Sequence, residues 1–266
     1  MTLGEGRTFI AGLPAELAAQ QALLTRLLDA VEDEPRWDVL MLGCSVAAGR
    51  ADALSDLDLL LAHGPQAPAT AETTALLRGL GDVVEVHDHM WDGMPRWWVL
   101  YADGTQVDLV VMPATDLPGR APASVPLLDR HGRLASEFTP RGQRAGASQL
   151  RDWALDGGEA LMNAAKYLDR GSLLEALEQV QRARTRVLQL WAAGEGVDHP
   201  AFGITSLLDA PGTALPPGIE LTWTGVDVDA IRAAAIRLLD LLRGSAAHAD
   251  PTLATPLLEV VAARLR

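Results

Sequence analysis

The chain has 266 residues, 48% of them hydrophobic, enough to bury one large core or two smaller ones, and two domains is the expectation. A formal net charge of -13 excludes a general nucleic-acid binder, which must concentrate Lys and Arg, and suits a neutral or cationic small partner. No apolar run is long enough to cross a bilayer, the N-terminus lacks the basic start and apolar stretch of a signal peptide, and the one cysteine, Cys44, excludes an internal disulfide and a cysteine-based zinc site; the expectation is a cytoplasmic protein without a membrane partner.

Residues 14–31 carry leucine and alanine at helical spacing behind Pro14, which predicts a first helix ending at the acidic, proline-containing stretch 32–35. Strands are predicted over 37–42 and 55–61, with a turn-rich connection between them, and a helix over 71–80. Three more strands fall at 83–89, 96–101 and 106–112, the last two joined by Ala102-Asp103-Gly104-Thr105, whose Asp-Gly is a hairpin signal. From 113 to 147 the chain turns rich in Pro, Gly, Arg and Ser, with 125–128 and 133–138 as short ordered pieces, and the linker is placed there. Long helical patterns follow over 148–170, 172–193, 227–243 and 252–264, with Gly171 and Gly194 at helix ends. The fold class is therefore α+β: a mixed β-sheet domain with flanking helices over residues 1–140, then an all-α helical-bundle domain over 147–266.

The chemistry concentrates after the first strand. A small-residue turn, Gly43-Cys44-Ser45-Val46-Ala47-Ala48-Gly49, precedes Ser55-Asp56-Leu57-Asp58-Leu59. Residues two apart on a strand share a face, so Asp56 and Asp58 project together while Leu57 and Leu59 turn inward. Paired carboxylates are what a hard cation such as magnesium requires beside a triphosphate. In Gln106-Val107-Asp108-Leu109-Val110-Val111 a third acid sits on a polar strand face, placed to join the metal site or to deprotonate an acceptor hydroxyl. Gly43 and Ser45 bring backbone amides and a hydroxyl to where phosphates would lie.

A Gly-x-Ser turn, then Ser-Asp-Leu-Asp-Leu, then a later strand acid resembles the DNA polymerase β-like nucleotidyltransferase superfamily. Trp98 to Leu109 with Met112-Pro113, and Leu127-Leu128-Asp129-Arg130-His131-Gly132, resemble the streptomycin-type aminoglycoside adenylyltransferases within it. The resemblance implies a nucleotidyltransferase domain closed over by a helical domain. It further implies ATP as donor, Mg2+ held by Asp56, Asp58 and Asp108, an aminoglycoside or other small hydroxyl-bearing acceptor, and antibiotic resistance as a role. Lys166, the sole lysine, stands where family members carry a helical lysine and takes a triphosphate-contacting role by that resemblance. Cys44 stands where the superfamily has Gly or Ser, and Ala48 where many relatives carry an arginine.

Other residues invite plainer readings. Glu85, His87 and His89 share one strand face opposite Val84 and Val86; the histidines read as a solvated polar face, and Glu85 as a candidate acceptor-binding acid or auxiliary base on a strand beside that of Asp108. Trp97 and Trp98 read as core packing, Cys44 as a small buried residue, and Arg182 and Arg186 as an ordinary helix-surface pair. Two alternatives stay open: a protein acceptor, and an inert module that binds nucleotide or a partner without turnover.

Overall fold

A computed structural model describes residues 3–91, 93–122, 124–138, 144–210, 212–253 and 256–265. The chain divides into two compact units, Met1–Arg141 and Gly142–Arg266. The architecture is α+β, a mixed six-stranded sheet with helices followed by a helical region.

The first unit opens with α1 (Leu3–Ala11) and, after a single 3-10 turn, α2 (Ala18–Asp33). Helix α1 was not expected, because Gly4 and Gly6 weaken the helical pattern. Gly6 has a packing reason: a Cβ there would lie 2.2 Å from the Leu127 carbonyl oxygen, so only glycine lets the helix lie this close to its strand. Strand β1 (Trp37–Leu42), the short helix α3 (Cys44–Ala47), β2 (Leu57–His63), α4 (Thr70–Gly79), β3 (Val83–Trp91), β4 (Met94–Tyr101), β5 (Gln106–Pro113) and β6 (Val125–Asp129) follow.

The strand order is β3-β4-β5-β2-β1-β6. β2 and β5 run parallel, and every other neighbouring pair is antiparallel. The β4–β5 turn is the expected hairpin, with Gly104 at φ +87° and the Asp103 carboxylate accepting from the Thr105 amide at 2.9 Å. One sheet face meets the helices: Leu57, Leu59, Leu61, Trp97, Val99, Val107, Leu109 and Val111 pack with Leu23, Leu24, Leu27 and Leu28 of α2 and Leu77 of α4. The opposite face carries the polar alternates of β2, β4 and β5 beside a smaller cluster that includes Val39, Met41, Ala62, Met112 and Leu134.

Three expectations are corrected here. The proposed linker over 113–147 contains β6 at the ordered piece expected over 125–128, but as the sheet's sixth strand bonded to β1 rather than as part of a linker, and a 3-10 turn at Arg133–Ala135 within the piece expected over 133–138; residues 139–143 of that stretch lie outside the described ones. Pro126 suits an edge strand, and the local composition hides the pairing. The motif around it is a brace. Arg130 donates from Nε to the Trp37 carbonyl at 2.8 Å and from Nη2 to the Val31 and Glu32 carbonyls at 3.0 and 2.6 Å, capping the end of α2, while Asp129 accepts from the Arg133 and Leu134 amides. Second, a bulge between Val83 and Glu85 shifts the strand alternation, so Val83 and Val86 pack on the core and Val84 is 62% exposed rather than inward. Third, β3 neighbours β4, not β5, because the hairpin inserts β4 between Glu85 and Asp108.

The second unit comprises α5 (Ala147–Asp169), α6 (Leu173–Gly194), α7 (Ile204–Asp209), α8 (Val228–Ala249) and α9 (Leu257–Leu265). The short α7 was not expected, and α9 starts after Pro256 rather than at 252. Gly157 and Gly158 admit α8 and α9 against α5: a Cβ would stand 2.9 Å from Leu242 Cδ1 and 2.8 Å from Leu257 Cδ2. Arg182 and Arg186 of α6 both pair with Asp156 of α5, so the pair is a helix–helix clamp rather than a surface ornament. Among the described residues, no helix is long and apolar enough to cross a membrane.

Candidate active site

Alternation on β2 and β5 does the placing. Leu57, Leu59, Val107 and Leu109 are buried on the helix side, which turns Asp58 and Asp108 to the other face. The parallel register sets Asp58 directly beside Asp108. The same register line continues outward, Asp108 opposite Trp98 on β4 and Trp98 opposite His87 on β3, so Asp58, Asp108, Trp98 and His87 form a transverse line on one face. Asp56 precedes β2, is exposed, and its charge reaches Asp58.

Asp58 is half-buried, and its carboxyl is pushed above the usual carboxylate range, first by burial and then by the negative charge of Asp56; a hydrogen bond with Cys44 and the charge of Arg96 oppose this and do not cancel it. The turn is tied to the same strand, the Gly43 amide donating to the Asp58 carbonyl at 2.8 Å. Ser45 sits half-exposed in α3. Cys44 is exposed, correcting the expectation of a buried thiol. It adopts φ +52°, a left-handed conformation that favours glycine, and Val46 rather than Cys44 turns into the core.

Asp108 has a partner that inspection of the sequence did not single out. Arg96 of β4 grips both of its carboxylate oxygens through Nε and Nη2, with 30% of the Arg96 and 15% of the Asp108 side chain exposed. Counting back from the turn at 102–105 would have found it, since the hairpin register places Trp98 opposite Asp108 and Arg96 one residue pair further along on the same face.

Beside this pair lies an open recess of about 760 Å³ lined by Glu85, His87, His89, Arg96 and Trp98. His87 and His89 stack at 5.1 Å with rings 19° apart, and Trp98 donates from Nε1 to Gln106 at 3.2 Å. Trp97, by contrast, is a core residue, so only one of the two tryptophans packs inside as expected for both. Glu85 is exposed, one of its oxygens accepting from the Val86 amide at 3.0 Å. Lys166 belongs to the second unit, where its Nζ donates to Asn163 at 2.9 Å and lies over the Tyr167 ring.

Two carboxylates whose negative charges already strain each other fit a hard divalent cation, which would relieve both burial and repulsion at Asp58. The third acid, Asp108, already accepts from Arg96. Among the described residues, no group of three His, Cys, Asp or Glu is arranged to hold a metal ion.

No protein-family model and no curated protein matches the sequence. Among solved structures, the chain is similar to an aminoglycoside 6-adenyltransferase from Bacillus subtilis, at 12% identity and a TM-score of 0.40 over 91% of this chain and 95% of that one. It is also similar to the GLD-2/RNP-8 complex, at 12% identity and a TM-score of 0.31 over 85% and 68%, and to the non-canonical poly(A) polymerase complex GLD-2–GLD-3, at 14% identity and a TM-score of 0.31 over 90% and 74%. TM-scores of 0.31 to 0.40 leave the chemistry of the site to be argued from its own residues.

Proposed function

We propose that this chain is a nucleotidyltransferase that moves a nucleotide, AMP from ATP, onto a hydroxyl of a small acceptor with release of pyrophosphate. The observation that carries the reading is the in-register placement of Asp58 beside Asp108 on the open sheet face, with Asp56 two residues before Asp58 and the small-residue turn tied to the same strand.

In this reading Asp56 and Asp58 hold Mg2+, which when bound neutralises triphosphate charge and polarises the α-phosphate. Gly43 and Ser45 cradle the phosphates from the turn. Asp108 is the third acid and the base: it orients the acceptor hydroxyl and takes its proton as that oxygen bonds to the α-phosphorus, while the bond to the β-phosphate breaks and its electron pair leaves with pyrophosphate. Glu85 contacts the acceptor from the recess. The sequence resemblance nominates aminoglycosides as the first acceptors to try.

A second reading, a nucleotide-binding module without turnover, draws on the Arg96–Asp108 pair, which occupies the proposed base. Pyrophosphate release from ATP and Mg2+ across a panel of hydroxyl acceptors separates the two. Acceptor-dependent release that disappears in Asp58→Asn and Asp108→Asn is the expected result. Binding of ATP with Mg2+ but no release with any acceptor would favour the inert module, and absence of Mg2+-dependent ATP binding would refute both.

A further inference from the structure

Helix α8 buries Ile231, Ala235, Leu238 and Leu242 within the second unit and leaves one long face open. Ala233, Ile236, Arg237, Asp240, Gly244 and Ala247 are exposed along that face at helical spacing, over about 21 Å of helix.

Two features mark this face as a contact surface. The first is charge left unmatched. Arg237 has no ion pair or hydrogen bond among the described residues. Asp240, with 74% of its side chain exposed, has only a 3.6 Å approach from Arg243, whose Nη2 is engaged by Glu259 and the Leu258 carbonyl. The second is an aromatic side chain held out of the core. Trp223 is 53% exposed, and the guanidinium of the buried Arg184 lies 4.3 Å from its ring centroid. Arg184 is fixed in turn by Thr222, its Nε donating to Thr222 Oγ1 at 2.8 Å. Trp223 and Leu221 line an open recess of about 800 Å³ whose lining also includes Ile236, Arg237 and Asp240, so the recess and the helix face form one surface. A fixed, half-exposed tryptophan beside an unpaired arginine has the make-up of an interface anchor.

The order of residues along α8 indicates the partner. About the midpoint between Leu238 and Leu239, the face reads alike in both directions: Arg237 and Asp240 lie equally far from it, as do Ala233 and Gly244, and Ala230 and Ala247. A two-fold contact is self-complementary, residue i meeting residue j and j meeting i. Two copies of α8 packed antiparallel across that midpoint set Arg237 of each copy against Asp240 of the other. They also set Ala233 opposite Gly244, small enough for the two backbones to approach closely. A parallel pairing would instead set like charge on like.

We propose that the chain forms a two-fold dimer through α8, with two reciprocal Arg237–Asp240 pairs at its centre and Leu221 and Trp223 of each copy at its flanks. The dimer is independent of the nucleotidyl-transfer reading and uses none of its residues.

Sedimentation equilibrium of the full chain between about 1 and about 100 µM should show the mass rising from 28.3 kDa toward twice that value. Arg237→Asp and Asp240→Arg each bring like charges together across the axis and should weaken dimerisation at least about tenfold. The double swap should restore it to within about threefold of wild type, a rescue that a general loss of fold would not give. A Cβ at Gly244 meets nothing within the chain itself, so Gly244→Trp should keep its circular dichroism and thermal transition while blocking the dimer. Trp223→Ala should weaken it as well. A monomer at about 100 µM, a dimer indifferent to Gly244→Trp, or single charge reversals that the double swap fails to rescue would overturn the proposal.

Discussion

The sharpest expectation concerns Asp58→Asn, which should make the metal-free chain more stable while removing its chemistry. Asp56 precedes the strand that holds Asp58, and two residues of extended chain span at most about 7 Å between Cα atoms, which sets the scale of their separation. Between an effective dielectric of about 20 and that of water, two unit charges at this distance repel by roughly 0.6 to 2.4 kcal/mol, and the exposure of Asp56 favours the lower half of that range, about 1 kcal/mol. Burial of Asp58 acts in the same direction. A carboxyl whose pKa is raised on folding binds its proton more tightly in the folded state. Ionised Asp58 therefore costs stability above that raised pKa, and costs nothing once the pH is below the ordinary value of 3.8. Asparagine keeps the size and can accept the Cys44 hydrogen bond, so in urea titrations without metal Asp58→Asn should exceed wild type by about 1 kcal/mol at pH 7 to 8, a few degrees in Tm, and the advantage should vanish by about pH 3.5. Adding Mg2+ should stabilise wild type and leave Asp58→Asn unmoved. An Asn variant less stable than wild type at pH 7 without metal would refute the electrostatic account of the site.

Three further outcomes follow from features outside the acid pair. Arg130→Met removes three carbonyl contacts, two at the end of α2 and one to Trp37 of β1, and should cost about 2–4 kcal/mol in chemical denaturation, with turnover per folded molecule unchanged. Cys44→Val should cost about 1–3 kcal/mol because a β-branched residue resists φ +52°, whereas Cys44→Gly should stay within about 1 kcal/mol of wild type. Asp156→Asn should destabilise by about 1–2 kcal/mol at pH 7. The Asp156 carboxyl is held below its ordinary 3.8, its burial outweighed by the hydrogen bonds and charges of Arg182 and Arg186, so the stabilisation is complete above that value and is lost as the pH falls through the lowered one; the gap between Asp156→Asn and wild type should close in acid.

The period-two alternation made most of the sheet legible. β1 falls at the expected residues, and the buried faces of β2 and β5 are those expected, because alternation is a local property of each strand. What escaped was set by distant partners. Whether 125–129 forms a strand depends on β1 being free on its outer edge, and the reason Gly6 permits a helix is a carbonyl more than a hundred residues away. The bulge at Val83 to Glu85 inverted the expected facing of Val84 without leaving a turn signal in the sequence. At the site, the acids and the turn stood out because unusual residues cluster in a short stretch. Arg96 did not, since one arginine among many draws no notice until the hairpin register is counted.

The parallel pairing of β2 with β5 also bears on how the protein comes to exist. Hairpin neighbours such as β4 and β5 can zip together across a short turn, but β2 cannot meet β5 until α4, β3 and β4 have all been threaded between them, and closing so long a loop is slow. A chain emerging from the ribosome therefore carries Asp56 and Asp58 for some time without Asp108. Arg96, by contrast, finds Asp108 as soon as its hairpin forms, so the guanidinium shields that carboxylate before its two acidic neighbours arrive, and the growing sheet is spared three unpaired negative charges at the moment it closes.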